Sequence, residues 1–157
     1  MATNNAINLA GPTPAFSYIN NANQTVTTAG GAIVFANKII DTTNSFDGVS
    51  TFTAPVSGLY FFSFALNIYG LTSSDNLRTT LITTSGSYIT NFENFVGQQV
   101  PVFGTWISAA SLICSMSVSD TAYIVLEPSV DTITLNGYTA IAPIKMPIFS
   151  GYMIPGI

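Results

Sequence analysis

The stretch "FTAPVSGLYFFSF", residues 52–64, sets five aromatic side chains beside a proline and a glycine and carries no charge. From Gly58 onward apolar residues alternate at period two, the side-chain period of a β-strand. Tyr60, Phe62, Phe64, Leu66 and Ile68 form one row, and Leu59, Phe61, Ser63, Ala65, Asn67 and Tyr69 form the other. The second row has none of the charge of a solvated face. An antiparallel strand ordinarily buries one face and wets the other. Two apolar faces predict two coverings: a sandwich core on the even side, and on the odd side another layer of the same chain or a neighbouring subunit.

The rest of the chain reads the same way. Strand-like pieces fall at 14–20, 32–40, 50–54, 58–69, 77–84, 88–96, 105–118, 121–127, 132–142 and 148–154. Turn-forming runs such as "AGG", "TTNSFDG", "GLTSSDN" and "EPSVD" separate them. β-Branched and aromatic residues dominate the pieces, and no window shows helical spacing with caps. About ten short strands at near-regular spacing predict an all-β sandwich or barrel. From Trp106 the even row is Trp106, Ser108, Ala110, Leu112, Cys114 and Met116, opposite a small, mixed odd row. Gly58 is expected where the backbone is approached closely or φ is positive, and Gly151 where another backbone approaches the last strand.

At 157 residues the chain is one domain long, with an extended lead-in over 1–13 and the domain proper over 14–157. Only 6% of residues are charged, and Lys38, Arg78 and Lys145 face seven acids for a net charge of -4. Without a positive field, nucleic acid and anionic membrane surfaces are excluded as partners. No apolar run approaches the ~20 residues of a membrane helix, so no membrane insertion is expected. Met1 is followed by neither a basic region nor an apolar one, which predicts no secretory signal. Solubility therefore rests on Thr, Ser, Asn and Gln, a composition associated with virion and extracellular structural β proteins.

Catalytic chemistry finds little to use. The sequence has no His, which removes Ser-His and Cys-His nucleophiles and the usual zinc sets. The single Cys114 sits in an apolar row and reads as a buried, inert thiol. No spacing brings two of the seven acids onto one face, so no catalytic residue is expected. No cofactor is expected either. Calcium is the one ion to weigh, because loop carboxylates and amides suit a hard cation. Its candidates are Asp75 and Asn76 in "SSDN" and Glu127 and Asp131 in "EPSVD", with solvated turn residues the competing reading. Tyr69, Tyr88, Phe92, Phe95 and Tyr138 are aromatics that suit either glycan contact or packing.

One spacing is specific. Phe35 is followed after five residues by Asp41, after four by Phe46, after five by Phe52, and after five by Gly58, Tyr60, Phe62 and Phe64. This resembles the signature of the complement C1q globular-head family, and "FTAPVSGLYFFSF" matches its central motif almost throughout. "PAFSYI" (14–19) is similar to the family's first strand, and "FSGYMI" (149–154), with Phe149, Gly151 and Tyr152, to its last. The gap from Phe46 to Phe52 is one residue shorter than the family's, Ser119-Asp120 stands where Gly-Asp is usual, and residues 1–13 hold no collagen-like Gly-x-y repeat. The resemblance implies a ten-strand antiparallel jelly-roll sandwich, shared with the tumour necrosis factor superfamily, that assembles as a homotrimer. It makes Leu59, Phe61 and Tyr69 trimer-interface candidates and the signature residues fold-maintaining.

The expected role is a non-enzymatic trimeric structural or binding module. A virion component used for assembly or host attachment comes first, found in the virion or extracellularly after release. Its partners would be other virion or fibre proteins, met through the arm 1–13, and a cell-surface glycan or protein. The alternatives are a secreted recognition or cytokine-type ligand and a subunit of an extracellular homopolymeric fibre.

Overall fold

A computed structural model describes residues 11–94, 105–129, 132–137 and 147–156. Among the described residues, twelve strands form two antiparallel sheets and there is no helix. The strands of the first sheet are β1 (Ala15–Ile19), β2 (Gln24–Val26), β4 (Asn37–Asp41), β6 (Gly58–Tyr69), β9 (Thr105–Met116), β11 (Ile133–Leu135) and β12 (Ile148–Met153). The second sheet holds β3 (Gly31–Ala32), β5 (Phe52–Thr53), β7 (Asn76–Thr83), β8 (Gly86–Asn94) and β10 (Thr121–Pro128). Strand β6 organises the first sheet: β9 pairs along its whole length on one side, and β12 and β11 share the other. Beyond β12 come β1 and then β4, and beyond β11 comes β2.

The even row of β6 faces inward as its period predicts, with Tyr60, Phe62, Leu66 and Ile68 fully buried and Phe64 4% exposed. Against it lie Phe16 and Phe149 from the same sheet and Phe52, Leu77, Leu81, Ile124 and Leu126 from the other. The aromatic centre is a continuous stack. Phe16 lies 4.7 Å from Phe52 and 5.0 Å from Phe149, and Tyr18 lies 4.3 Å from Phe46. Aromatic side chains of this size each bury ~150–250 Å², so this cluster supplies much of the apolar burial that holds the sheets together. The row of β9 is less uniform. Cys114, Met116 and Ser108 are buried, but Trp106 is 37% exposed at the strand's outer end. Ser108 is tolerated inside because its hydroxyl bonds Thr79 Oγ1 at 2.8 Å and accepts from Asn91 Nδ2 at 3.2 Å, tying β9 to β7 and β8.

Several expectations are revised. The single strand expected over 32–40 is two, because β3 pairs β10 while β4 pairs β1, and the chain crosses between sheets through buried Ile33 and Phe35. Residues 24–26, which no expected strand covered, form a strand against β11. Gly58 shows neither a positive φ nor close backbone: the atoms nearest a methyl there belong to Met153, at 3.4 Å and beyond. Gly151 is tight, and its nearest neighbours are rings. A methyl would lie 2.7 Å from both Phe16 Cε1 and Phe62 Cδ1, and 3.0 Å from the Phe61 carbonyl oxygen.

Candidate assembly and binding faces

The signature residues owe their places to hydrogen bonds and packing. Asp41, at the end of β4, accepts from the Thr43 and Ser45 N–H groups through Oδ1. Its Oδ2 accepts from the Phe46 N–H at 3.0 Å and the Tyr18 hydroxyl at 3.3 Å. One carboxylate thus folds the 42–46 loop back and delivers Phe46 onto the ring of Tyr18. Asp47 closes the next loop, its Oδ1 accepting from the N–H groups of Val49, Ser50 and Thr51 at 2.8, 2.8 and 3.0 Å. Partial burial pushes its carboxyl up, but those donors together hold it below the usual range. Phe35, Phe52, Tyr60, Phe62, Phe64 and Phe149 line the core; Tyr152 points outward and is 45% exposed.

The outward face of the first sheet is built by register. Ala15, Tyr152, Phe61 and Ile113 form one row across β1, β12, β6 and β9. The next row is four serines, Ser17, Ser150, Ser63 and Ser111, with the Ser150 hydroxyl donating to Ser17 at 2.8 Å. The next is Ile19, Ile148, Ala65 and Ala109. No outward side chain on these four strands is charged among the described residues. The rings of Phe61 and Tyr152 touch at 5.2 Å, and Ile107 and Ile113 stand 54% and 57% exposed. Leu59 and Phe61 are half-buried and Tyr69 is exposed, all three on this face. Sequence reasoning placed Leu59, Phe61 and Tyr69 here but missed Tyr152, Ile107 and Ile113. The signal was the odd row of β9, whose importance needs its register against β6.

Chemistry remains sparse. Cys114 is buried, and burial pushes its thiol above the usual range. Among the described residues no three His, Cys, Asp or Glu side chains gather as a metal cluster. Of the calcium candidates, Asp75 is buried and accepts from the Thr72 N–H and hydroxyl. Glu127 lies within β10 rather than a turn, and accepts from Arg78 Nε at 2.7 Å and Nη2 at 2.9 Å. Those hydrogen bonds, helped by the guanidinium's charge, hold Glu127 below the usual range despite partial burial. Asn76 opens β7, and Asp131 lies outside the described residues, as do Phe95 and Tyr138. Tyr88 and Phe92 are exposed on β8. No helix among the described residues is long and apolar enough to cross a membrane.

Comparison with known proteins agrees with this geometry. The model of the C1q domain matches residues 15–154. No curated protein matches the chain in sequence. The fold is similar to the globular domain of zebrafish complement 1qA protein, at 18% identity and TM-score 0.59, over 90% of this chain and 97% of that one. It is also similar to the Eiger TNF of S. frugiperda, at 7% identity and TM-score 0.61, over 93% of this chain and 95% of that one. Murine APRIL matches at 5% identity and TM-score 0.56, over 91% of this chain and all of the other. The two-sheet jelly roll, the aromatic core and the match across nearly its whole length place this chain in the C1q domain family.

Proposed function

We propose that this chain is a non-enzymatic homotrimeric binding module whose subunits associate through the outward face of the first sheet. The observation that carries this reading is the uncharged face across β1, β12, β6 and β9, with Ile107, Ile113 and Tyr152 exposed in the single chain. An uncharged surface with exposed apolar rows of this kind is covered in a stable protein. Domains of this family are typically trimeric binding modules, generally without enzymatic activity. Sedimentation equilibrium at micromolar concentration tests it directly. The expected result is one trimeric species in which dissociation and unfolding coincide. Ile113→Glu, which sets a charge beside Phe61, should abolish the trimer. A stable folded monomer of the unaltered chain would refute the reading.

We further propose an extracellular or virion setting, supported by a composition with 6% charged residues and by family members that are typically extracellular. Residues 1–13 act in this reading as an arm that joins the trimer to a larger assembly. A chain beginning at Pro14 should still trimerise but fail to enter a particle or fibre, and its normal incorporation would favour a free ligand instead.

A further inference from the structure

We propose that the outer face of the second sheet carries a binding site for one neutral hexopyranose unit, centred on the cross-strand row Glu127, Arg78 and Phe92. These residues are in register on three neighbouring strands, Glu127 opposite Arg78 and Arg78 opposite Phe92. They face outward because Leu77 and Thr79, on either side of Arg78, are buried in the core. The row borders a cavity of about 310 Å³, also lined by Thr28, Asn76 and Ser129. That volume is at the small end of ligand pockets. The row spans two strand spacings, roughly 10 Å, which suits a single sugar ring.

The site is built rather than incidental. Arg78 and Glu127 share a two-point bond, which fixes the planes of both groups. The turn from Thr27 to Gly30 sits directly on Glu127: a methyl on Gly30 would lie 2.6 Å from Glu127 Cγ. Asn76 and Thr80 flank Arg78 on the same strand face. Asn76 Oδ1 and Thr80 Oγ1 are buried and have no hydrogen-bond partner. Unpaired buried polar atoms are rare in native folds, and Asn76, which carries one of these two, lines the cavity itself.

The chemistry selects the ligand. The ion pair is neutral as a unit, so the row itself favours neither an anion nor a cation. Arg78 Nη1 still has donors to offer and the Glu127 carboxylate still has lone pairs. Adjacent sugar hydroxyls donate and accept at once, so a vicinal pair satisfies both groups. Phe92, 60% exposed, supplies a flat apolar platform for the C–H face of the ring. The site lies on the sheet opposite the proposed trimer face and uses none of its residues.

The test is a ¹H–¹⁵N titration of the full chain with the methyl glycosides of glucose, galactose, mannose and N-acetylglucosamine, with sulfate as the anion probe. At least one glycoside should shift the Arg78 Nε–H and Asn76 side-chain signals, with a Kd on the order of 1 mM. Phe92→Ala, an exposed change that leaves the core intact, should weaken binding about tenfold, and Glu127→Gln similarly. No shift with any glycoside at about 50 mM, shifts with sulfate alone, or unaltered binding by Phe92→Ala would each overturn the proposal. Sedimentation on the same sample separates the two readings: a monomer that binds sugar refutes only the trimer, and a trimer that does not refutes only this site.

Discussion

Gly151→Ala separates the effect of backbone propensity from that of packing, because the two predict opposite signs. Glycine inside a strand is entropically unfavourable, and where the conformation allows it replacement by alanine stabilises by ~0.4–1 kcal/mol. In this fold the new methyl would lie 2.7 Å from Phe16 Cε1 and from Phe62 Cδ1, about an ångström inside ordinary carbon contact. Neither ring has room to withdraw. Phe16 is stacked on Phe52 at 4.7 Å and on Phe46 at 5.3 Å, and Phe62 packs on Phe149 at 5.9 Å. Overpacking of this kind costs ~1–3 kcal/mol, more than the entropy gained. The expected net effect is a loss of about 1–2 kcal/mol per chain, or a Tm roughly 2–8 °C lower for a domain of this length. Gly58→Ala is the control, since the atoms nearest its methyl belong to the flexible Met153, at 3.4 Å and beyond. That variant should be neutral or slightly more stable. Thermal and urea unfolding at fixed protein concentration read both, because association would make Tm concentration-dependent. A Gly151→Ala protein as stable as the unaltered chain would show that the aromatic stack yields, and the packing argument would fail.

Phe62→Ala should destabilise by ~3–5 kcal/mol through lost burial and a cavity, and an unchanged denaturation midpoint would contradict its place in the core. Asp41→Ala strips acceptors from three backbone N–H groups and the Tyr18 hydroxyl, and should cost ~1–3 kcal/mol with Tyr18 and Phe46 losing their ring contact in NMR spectra. Stability should be nearly flat from about pH 5 to 8, because the chain has no His and burial pushes the Cys114 thiol upward. Asp47 and Glu127 are both held below their ordinary values in the fold. Their contributions are therefore complete above the unfolded-state carboxylate range near ~4 and are lost as pH falls through the lower folded values. Acid titration by circular dichroism should show that loss only on the acid side, and a sharp transition near pH 6 would point to a different titrating group.

The sequence by itself determined the parts whose physics is local. Period-two alternation in 58–69 fixed both the extent of β6 and its buried row, because a one-residue slip would have turned Tyr60, Phe62 and Phe64 outward. Aromatic spacing from Phe35 to Phe64 was legible as the signature that the chain shares with the C1q domain family. Cys114 was readable from its neighbours. Tertiary structure decided what depends on partners distant in sequence. Residues 31–41 divide between two sheets because β3 finds β10 and β4 finds β1, and nothing within the segment announces that choice. Gly151 is required by two rings, one from β1 and one from β6, whose approach no local pattern records. Arg78 and Glu127 stand 49 residues apart and meet only through the pairing of β7 with β10, which also sets Phe92 beside them. The serine row across four strands and the apolar rows beside it likewise exist only in the register of the assembled sheet. Side-chain periodicity is a property of one strand, whereas a face is a property of several, so the core was written locally and the candidate binding surfaces were not.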